Sequence, residues 1–177
     1  MKYITLLSLA CSFLLTLSAC SSVSISDYTK NTPKLIPQEF FNGNLTAKGV
    51  VKNRSGKVTR YFTATINAHW KEGIGTLDEK FIFDDGEIQY RTWTLKPSDQ
   101  GFFTGTAGDV IGIGDGKFSG NAINLKYVLA VKLKDSTINV GVDDWMWLVD
   151  ENTVVNESVL TKFGFKVGSI QLAMIKH

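Results

Sequence analysis

The sequence predicts an all-β domain, an antiparallel meander closed into a β-barrel. First, about nine or ten short runs alternate apolar and polar residues with period two, and no sustained helical period appears. Second, turn chemistry closes each run, as in Asn53-Arg54-Ser55-Gly56, Lys71-Glu72-Gly73 and Lys96-Pro97-Ser98-Asp99-Gln100-Gly101. Third, there are 16 glycines but only 3 prolines, interleaved with Val, Ile and Phe, which suits tight turns and close strand packing. Closing the meander removes the exposed edges an open sheet would leave. A two-sheet sandwich is the alternative arrangement of the same strands.

In chain order the strand-like runs are residues 45–51, 58–70, 77–83, 87–95, 102–113, 117–133, 137–142, 145–149, 154–161 and 167–175. In the second, Phe62, Ala64, Ile66 and Ala68 alternate with Tyr61, Thr63, Thr65 and Asn67. Gly114-Asp115-Gly116 reads as the turn between the fifth and sixth runs. In the sixth, Ile123, Leu125, Tyr127, Leu129, Val131 and Leu133 share one side against Asn124, Lys126 and Lys132, a half-buried antiparallel pattern.

A chain of 177 residues can build one domain with a real core. Its 44% apolar and 20% charged residues exclude wholesale disorder. A formal charge of +2 without a Lys/Arg cluster gives nucleic-acid binding no electrostatic footprint.

The amino terminus reads as a processing signal. Lys2 precedes an apolar run over 4–17, too short for a comfortable membrane span, and then Leu17-Ser18-Ala19-Cys20. That tetrapeptide resembles a bacterial lipobox, in which the Cys thiol takes a diacylglycerol and becomes the first residue of the mature chain. Cys11 leaves with the signal and Cys20 is consumed by lipid, so no thiol remains for a disulfide. Several acyl chains on Cys20 would anchor the protein stably to a membrane. By the same resemblance, Ser21, standing where an Asp would retain the protein at the inner membrane, points to the outer membrane of a Gram-negative cell, facing the periplasm. The expected organisation is a signal peptide over 1–19, a lipidated tether rich in Ser, Thr, Lys and Pro over 20–37, and the barrel domain over 38–177.

The hairpin over residues 77–95 carries the most specific expectation. A two-residue Asp85-Gly86 loop would set Asp84 against Glu87, like charges across a ladder. A three-residue loop with Gly86 left-handed avoids this and pairs Leu77 with Trp93, Glu79 with Arg91 and Phe81 with Gln89. The face carrying Leu77, Phe81, Phe83, Trp93 and Leu95 then also carries Glu79 and Arg91, while Asp78, Lys80, Tyr90, Thr92 and Thr94 face solvent. An acid and a base on an apolar face satisfy one another. They serve either as a polar handle in a pocket, with Arg91 gripping a carboxylate or phosphate, or as a structural ion pair.

Six glycines lie between Gly105 and Asn121, at 105, 108, 112, 114, 116 and 120. A phosphate-loop reading of this stretch fails, because position 111 is Ile, position 118 is Phe and no helix follows. Bulges, turns and close strand packing account for it better. Asp143 and Asp144 precede Trp145-Met146-Trp147, but neighbours in a strand face opposite ways and cannot share one substrate bond. The Trp pair reads as core or barrel lining. His69 and His177 are the only histidines, so a His/Cys metal site is excluded and a Ser-His-Asp triad has no support. No catalytic residue, metal or cofactor is expected.

Taken together, several motifs resemble the bacterial lipoproteins called "domain of unknown function 3833". They are Phe81-Ile-Phe-Asp-Asp-Gly86 leading to Arg91-Thr-Trp93, and Gly105-Thr-Ala-Gly-Asp-Val-Ile-Gly112. Gly120-Asn121-Ala122 with Tyr127, Asp144-Trp145-Met146, and Lys162-Phe163-Gly164 with Gly168 complete the set. The likeness runs from about Phe41 to the end. It implies an exported, lipid-anchored protein with a fold similar to lipocalin-like barrels, and it implies no activity.

The expected function is therefore a non-catalytic, membrane-anchored barrel that binds a hydrophobic or acyl ligand through Glu79, Phe81, Arg91, Trp93, Asp144 and Trp145. A structural envelope protein with a filled barrel is the second reading. An enzyme acting through Glu79 or Asp144 is the third.

Overall fold

The alternating runs become ten antiparallel strands among the described residues, each turning one face toward a shared, mainly apolar interior. The computed structural model describes residues 23–99, 101–133 and 135–177. The strands are β1 (Gly43–Asn53), β2 (Val58–Lys71), β3 (Ile74–Phe83), β4 (Ile88–Pro97), β5 (Phe102–Thr106), β6 (Val110–Ser119), β7 (Ala122–Lys132), β8 (Thr137–Leu148), β9 (Thr153–Lys162) and β10 (Phe165–Lys176). Each pairs with its successor, and β1 pairs with β10 from Leu45↔Lys176 to Asn53↔Gly168, which closes the barrel. The sandwich is thereby excluded. The signal peptide, Cys11, Cys20 and Ser21 lie outside the described residues.

Four strand boundaries differ from the periodicity reading. Residues 102–113 do not form one strand, since the chain turns at Ala107-Gly108-Asp109, between β5 and β6. Gly114-Asp115-Gly116 is no turn but lies inside β6. Gly116 faces inward, where the Phe103 ring fills the place a side chain would take, and Gly114 lies against Tyr127 and Leu125. The second missed turn is Gly120-Asn121, with Gly120 at a φ of 55° and the Tyr28 carbonyl where its Cβ would be. Residues 137–142 and 145–149 are not two runs, since 137–148 form the single strand β8.

The segment expected to be a free tether is docked over its described part. Ile25–Tyr28 forms a short 3-10 turn, and the Tyr28 ring packs on Trp145 and Trp147 with centroids 5.7 and 6.3 Å away. The Leu35 amide donates to the Gly120 carbonyl at 2.8 Å, and the Leu35 side chain is fully buried. Within the described part of the tether the chain thus packs on the barrel through Tyr28 and Leu35, ahead of the expected start at 38. Composition hid this, because one Tyr and one Leu in a polar segment suffice to pin it.

Leu35, Phe40 and Phe41 plug one end of the barrel, with the Trp70 indole N–H donating to the Phe41 carbonyl at 2.7 Å. They join Leu45, Leu77, Leu95, Phe103, Ile123, Leu148 and Val154 in one core. The closed end is packed solid. The other end carries the β1–β2, β3–β4, β5–β6, β7–β8 and β9–β10 turns.

Candidate functional site

The opening of the site follows from the β3–β4 hairpin. Its loop has three residues: the Phe83 amide donates to the Glu87 carbonyl and the Gly86 amide to the Phe83 carbonyl, both at 3.0 Å, with Gly86 at a φ of 86°. The register pairs Leu77 with Trp93, Glu79 with Arg91 and Phe81 with Gln89, as charge repulsion at the turn predicts. Arg60 on β2 adds a contact that local sequence does not signal, holding Asp85 at 2.7 Å and Glu87 at 2.8 Å.

Between the plug and these turns the barrel is hollow. A cavity of about 290 Å³ is lined by Phe62, Phe81, Trp93, Leu125, Tyr127 and Met146 among others, close to the lower bound of about 300 Å³ for small-molecule sites. Val51, Arg60, Phe83 and Val131 stand at its mouth, and Phe41 and Phe103 at its floor. Gly105 lets the Trp93 ring approach β5 closely, and Trp93 meets Tyr127 edge-on at 5.2 Å.

Two carboxyl groups interrupt this apolar wall. The Glu79 Oε2 is buried and has no hydrogen-bond partner; a cation, Arg91 Nη1, is 3.9 Å away. Burial pushes the Glu79 carboxyl up to about 7, against the pull of Arg91 and with help from Asp109 and Asp144. Asp144 accepts from the Ser158 hydroxyl at 2.6 Å and from the Asn156 amide. Burial still raises its carboxyl to about 6, although those two donors and Arg91 work the other way. In a ring of ten strands, β3 and β8 are five positions apart, so the two acids stand on opposite walls.

The Glu79–Arg91 pairing is thus a register fact and only a loose ion pair. Arg91 has a firmer partner, Asp109 in the β5–β6 turn, reached by Nε at 3.0 Å and by Nη2 at 2.7 Å. Burial acts to lower the Arg91 pKa, but Asp109 and Glu79 outweigh it, and the guanidinium stays charged.

Of the residues expected at a ligand, Glu79, Phe81, Arg91, Trp93 and Asp144 line this cavity, and Trp145 does not. Alternation along β8 turns Asp144 and Met146 inward, so Trp145 and Trp147 face out, under Tyr28. The Trp pair is therefore outer wall, not lining. Asp143 also faces out, 3.2 Å from Lys126 and accepting from Asn124 at 2.6 Å. Sequence reasoning missed Asn156 and Ser158. Their signal was the one that marked Glu79: polar residues on the inward row of a strand, here between Val154 and Leu160.

Among solved structures, the S-type phycobiliprotein lyase CPES from Guillardia theta has a similar fold, with a TM-score of 0.59 at 9% identity, covering 88% of this chain and 98% of the lyase chain. At that identity the likeness concerns the fold, a lipocalin-like barrel. No curated protein matches the sequence. The family model described as "Protein of unknown function (DUF3833)" matches residues 14–176, so the chain belongs to the DUF3833 family.

Proposed function

We propose that the protein holds an apolar small molecule inside the barrel and performs no chemistry on it. The observation that carries this is the buried Glu79 carboxyl oxygen, without a hydrogen-bond partner on the wall of a largely apolar cavity whose other acid, Asp144, is already matched by Ser158 and Asn156. An unmatched buried acceptor costs about 1–3 kcal/mol, which a ligand donor would offset. The ligand is accordingly a lipid-like chain or ring system carrying a hydroxyl, amide or amine that reaches Glu79. Asp109 already occupies Arg91, so a ligand carboxylate or phosphate is disfavoured there. The open cavity favours this reading over a structural barrel filled with side chains. The protein acts from a membrane: Cys20 carries the lipid anchor, at the outer membrane facing the periplasm.

Native mass spectrometry of residues 23–177, which hold every strand and the plug, tests the binding. The expected result is a bound lipid-like mass, or uptake of a monoacylglycerol in preference to the fatty acid of equal length. A clean apo mass that takes up neither refutes it.

A carboxylate-based enzyme is the second reading, favoured by two cavity acids held at about 7 and about 6, within the range useful for proton transfer. A bound molecule whose mass changes on standing, and ceases to change in Glu79→Gln, would move the assignment to catalysis.

A further inference from the structure

The β9–β10 turn has a residue in a place that folding does not favour. Lys162 pairs with Phe165, leaving Phe163-Gly164 as a two-residue loop with φ values of 52° and 80°. Turns of this type favour Asn-Gly, because a side chain with a bulky Cβ substituent is strained at positive φ. Phe163 bears that strain while remaining 87% exposed, so its ring gains nothing from packing. Phe165 beside it is 66% exposed, and Leu133 on the neighbouring β7–β8 tip is 51% exposed. Cations stand among these apolar tips. The Lys162 ammonium lies 5.0 Å from the Phe163 ring, and Lys166, Lys132, Arg54 and Lys57 are exposed on the same three consecutive turns. Asp135 is the one acid on them among the described residues. The opposite sector of the rim carries Asp84, Asp85, Glu87 and Asp109.

We propose that this basic, apolar sector of the mouth docks on an anionic lipid bilayer. Apolar side chains on separate loop tips, flanked by Lys and Arg, suit a headgroup boundary, where rings enter the acyl edge and ammonium groups meet phosphates. A protein partner fits less well, since Lys is depleted from protein–protein interfaces. Tyr28 and Thr29 lie beside Gly120 and Ser119 at the closed end, so the segment leading back toward Cys20 attaches at the end away from the mouth. The strain at Phe163 is then retained for docking. The proposal does not depend on what fills the cavity.

Sedimentation of residues 23–177 with vesicles tests it. The domain should bind vesicles of phosphatidylcholine with phosphatidylglycerol, lose that binding at high salt, and ignore phosphatidylcholine alone. The Phe163→Asn/Phe165→Thr variant should bind at least about tenfold more weakly, as expected for two rings no longer buried. Its melting temperature should be unchanged or raised, because Asn relieves the turn. Undiminished binding by the variant, equal binding to phosphatidylcholine, or no binding to phosphatidylglycerol vesicles overturns the proposal; the last would leave the sector to a protein partner.

Discussion

Replacing Glu79 by Gln separates a buried charge from everything else at its position. In the fold the wild-type carboxyl is pushed up to about 7 from an ordinary glutamate value of 4.5, burial being the main cause. Below about pH 4.5 it is protonated in both states and affects stability little. Between 4.5 and 7 the unfolded chain has released its proton while the fold retains it, so stability falls as pH rises. Above 7 the loss is complete, about 3 kcal/mol for a shift of this size. Gln carries no such dependence. The stability difference between Glu79→Gln and wild type should therefore grow by about 3 kcal/mol in favour of Gln from pH 4.5 to pH 8. For a domain of about 150 residues that is roughly 6–12 °C in melting temperature. The buried Gln amide adds its own penalty, but one constant with pH, so the slope is the readout. Urea unfolding at pH 4.5, 6 and 8 measures it. A difference that does not change with pH would refute the burial of an ionisable Glu79.

The plug is tested by Leu35→Ala, which removes a fully buried side chain and should destabilise the domain by about 2–5 kcal/mol in urea unfolding; a loss below 1 kcal/mol would return residues 23–37 to the role of a loose tether. Gly116→Val places a branched side chain where the Phe103 ring stands, and overpacking should lower stability by about 1–3 kcal/mol in thermal melts, while an unchanged melting temperature would contradict the inward path of β6. In the full chain, Cys20→Ser should leave an unlipidated or unprocessed precursor, read by membrane fractionation and metabolic acyl labelling; normal fractionation with label retained would refute the anchor.

The hairpin register was legible because it depends on local chemistry. Gly86 needs a positive φ, Asp84 and Glu87 repel, and period two then fixes every partner to Leu77 and Trp93. The strand turns at 107–109 and 120–121 were not, because glycine has two uses that look alike in a sequence. Gly120 makes a turn; Gly114 and Gly116 make room for Tyr127 and Phe103 across the barrel, and only the fold tells which ring arrives. Nonlocal pairing hid the site in the same way. Arg91 and Asp109 meet across β5, and Asp144, Asn156 and Ser158 come from two strands whose register no turn residue fixes. Trp145 was misplaced for a different reason: an aromatic residue predicts burial, but not whether the barrel lumen or a docked segment provides it.

The two cavity acids acquire meaning from their separation around the ring. Had Glu79 and Asp144 sat on adjacent strands, each could have donated to the other, and the shared proton would have closed the site on itself. Instead Asp144 has Ser158 and Asn156 as donors, and Glu79 has only the distant guanidinium of Arg91, itself committed to Asp109. The unmatched acceptor is thus on one wall, and the satisfied one faces it across the hollow. A ligand donor placed at Glu79 lies under the field of Asp144 as well, so an amine would be held more tightly as pH rises through 6 and 7 and both carboxyls ionise. A neutral hydroxyl gains less from that change, because the ionising acids must also be desolvated by the chain that carries it. A cavity that binds through Glu79 would therefore separate these two donor classes by pH, through the same burial that destabilises the empty fold.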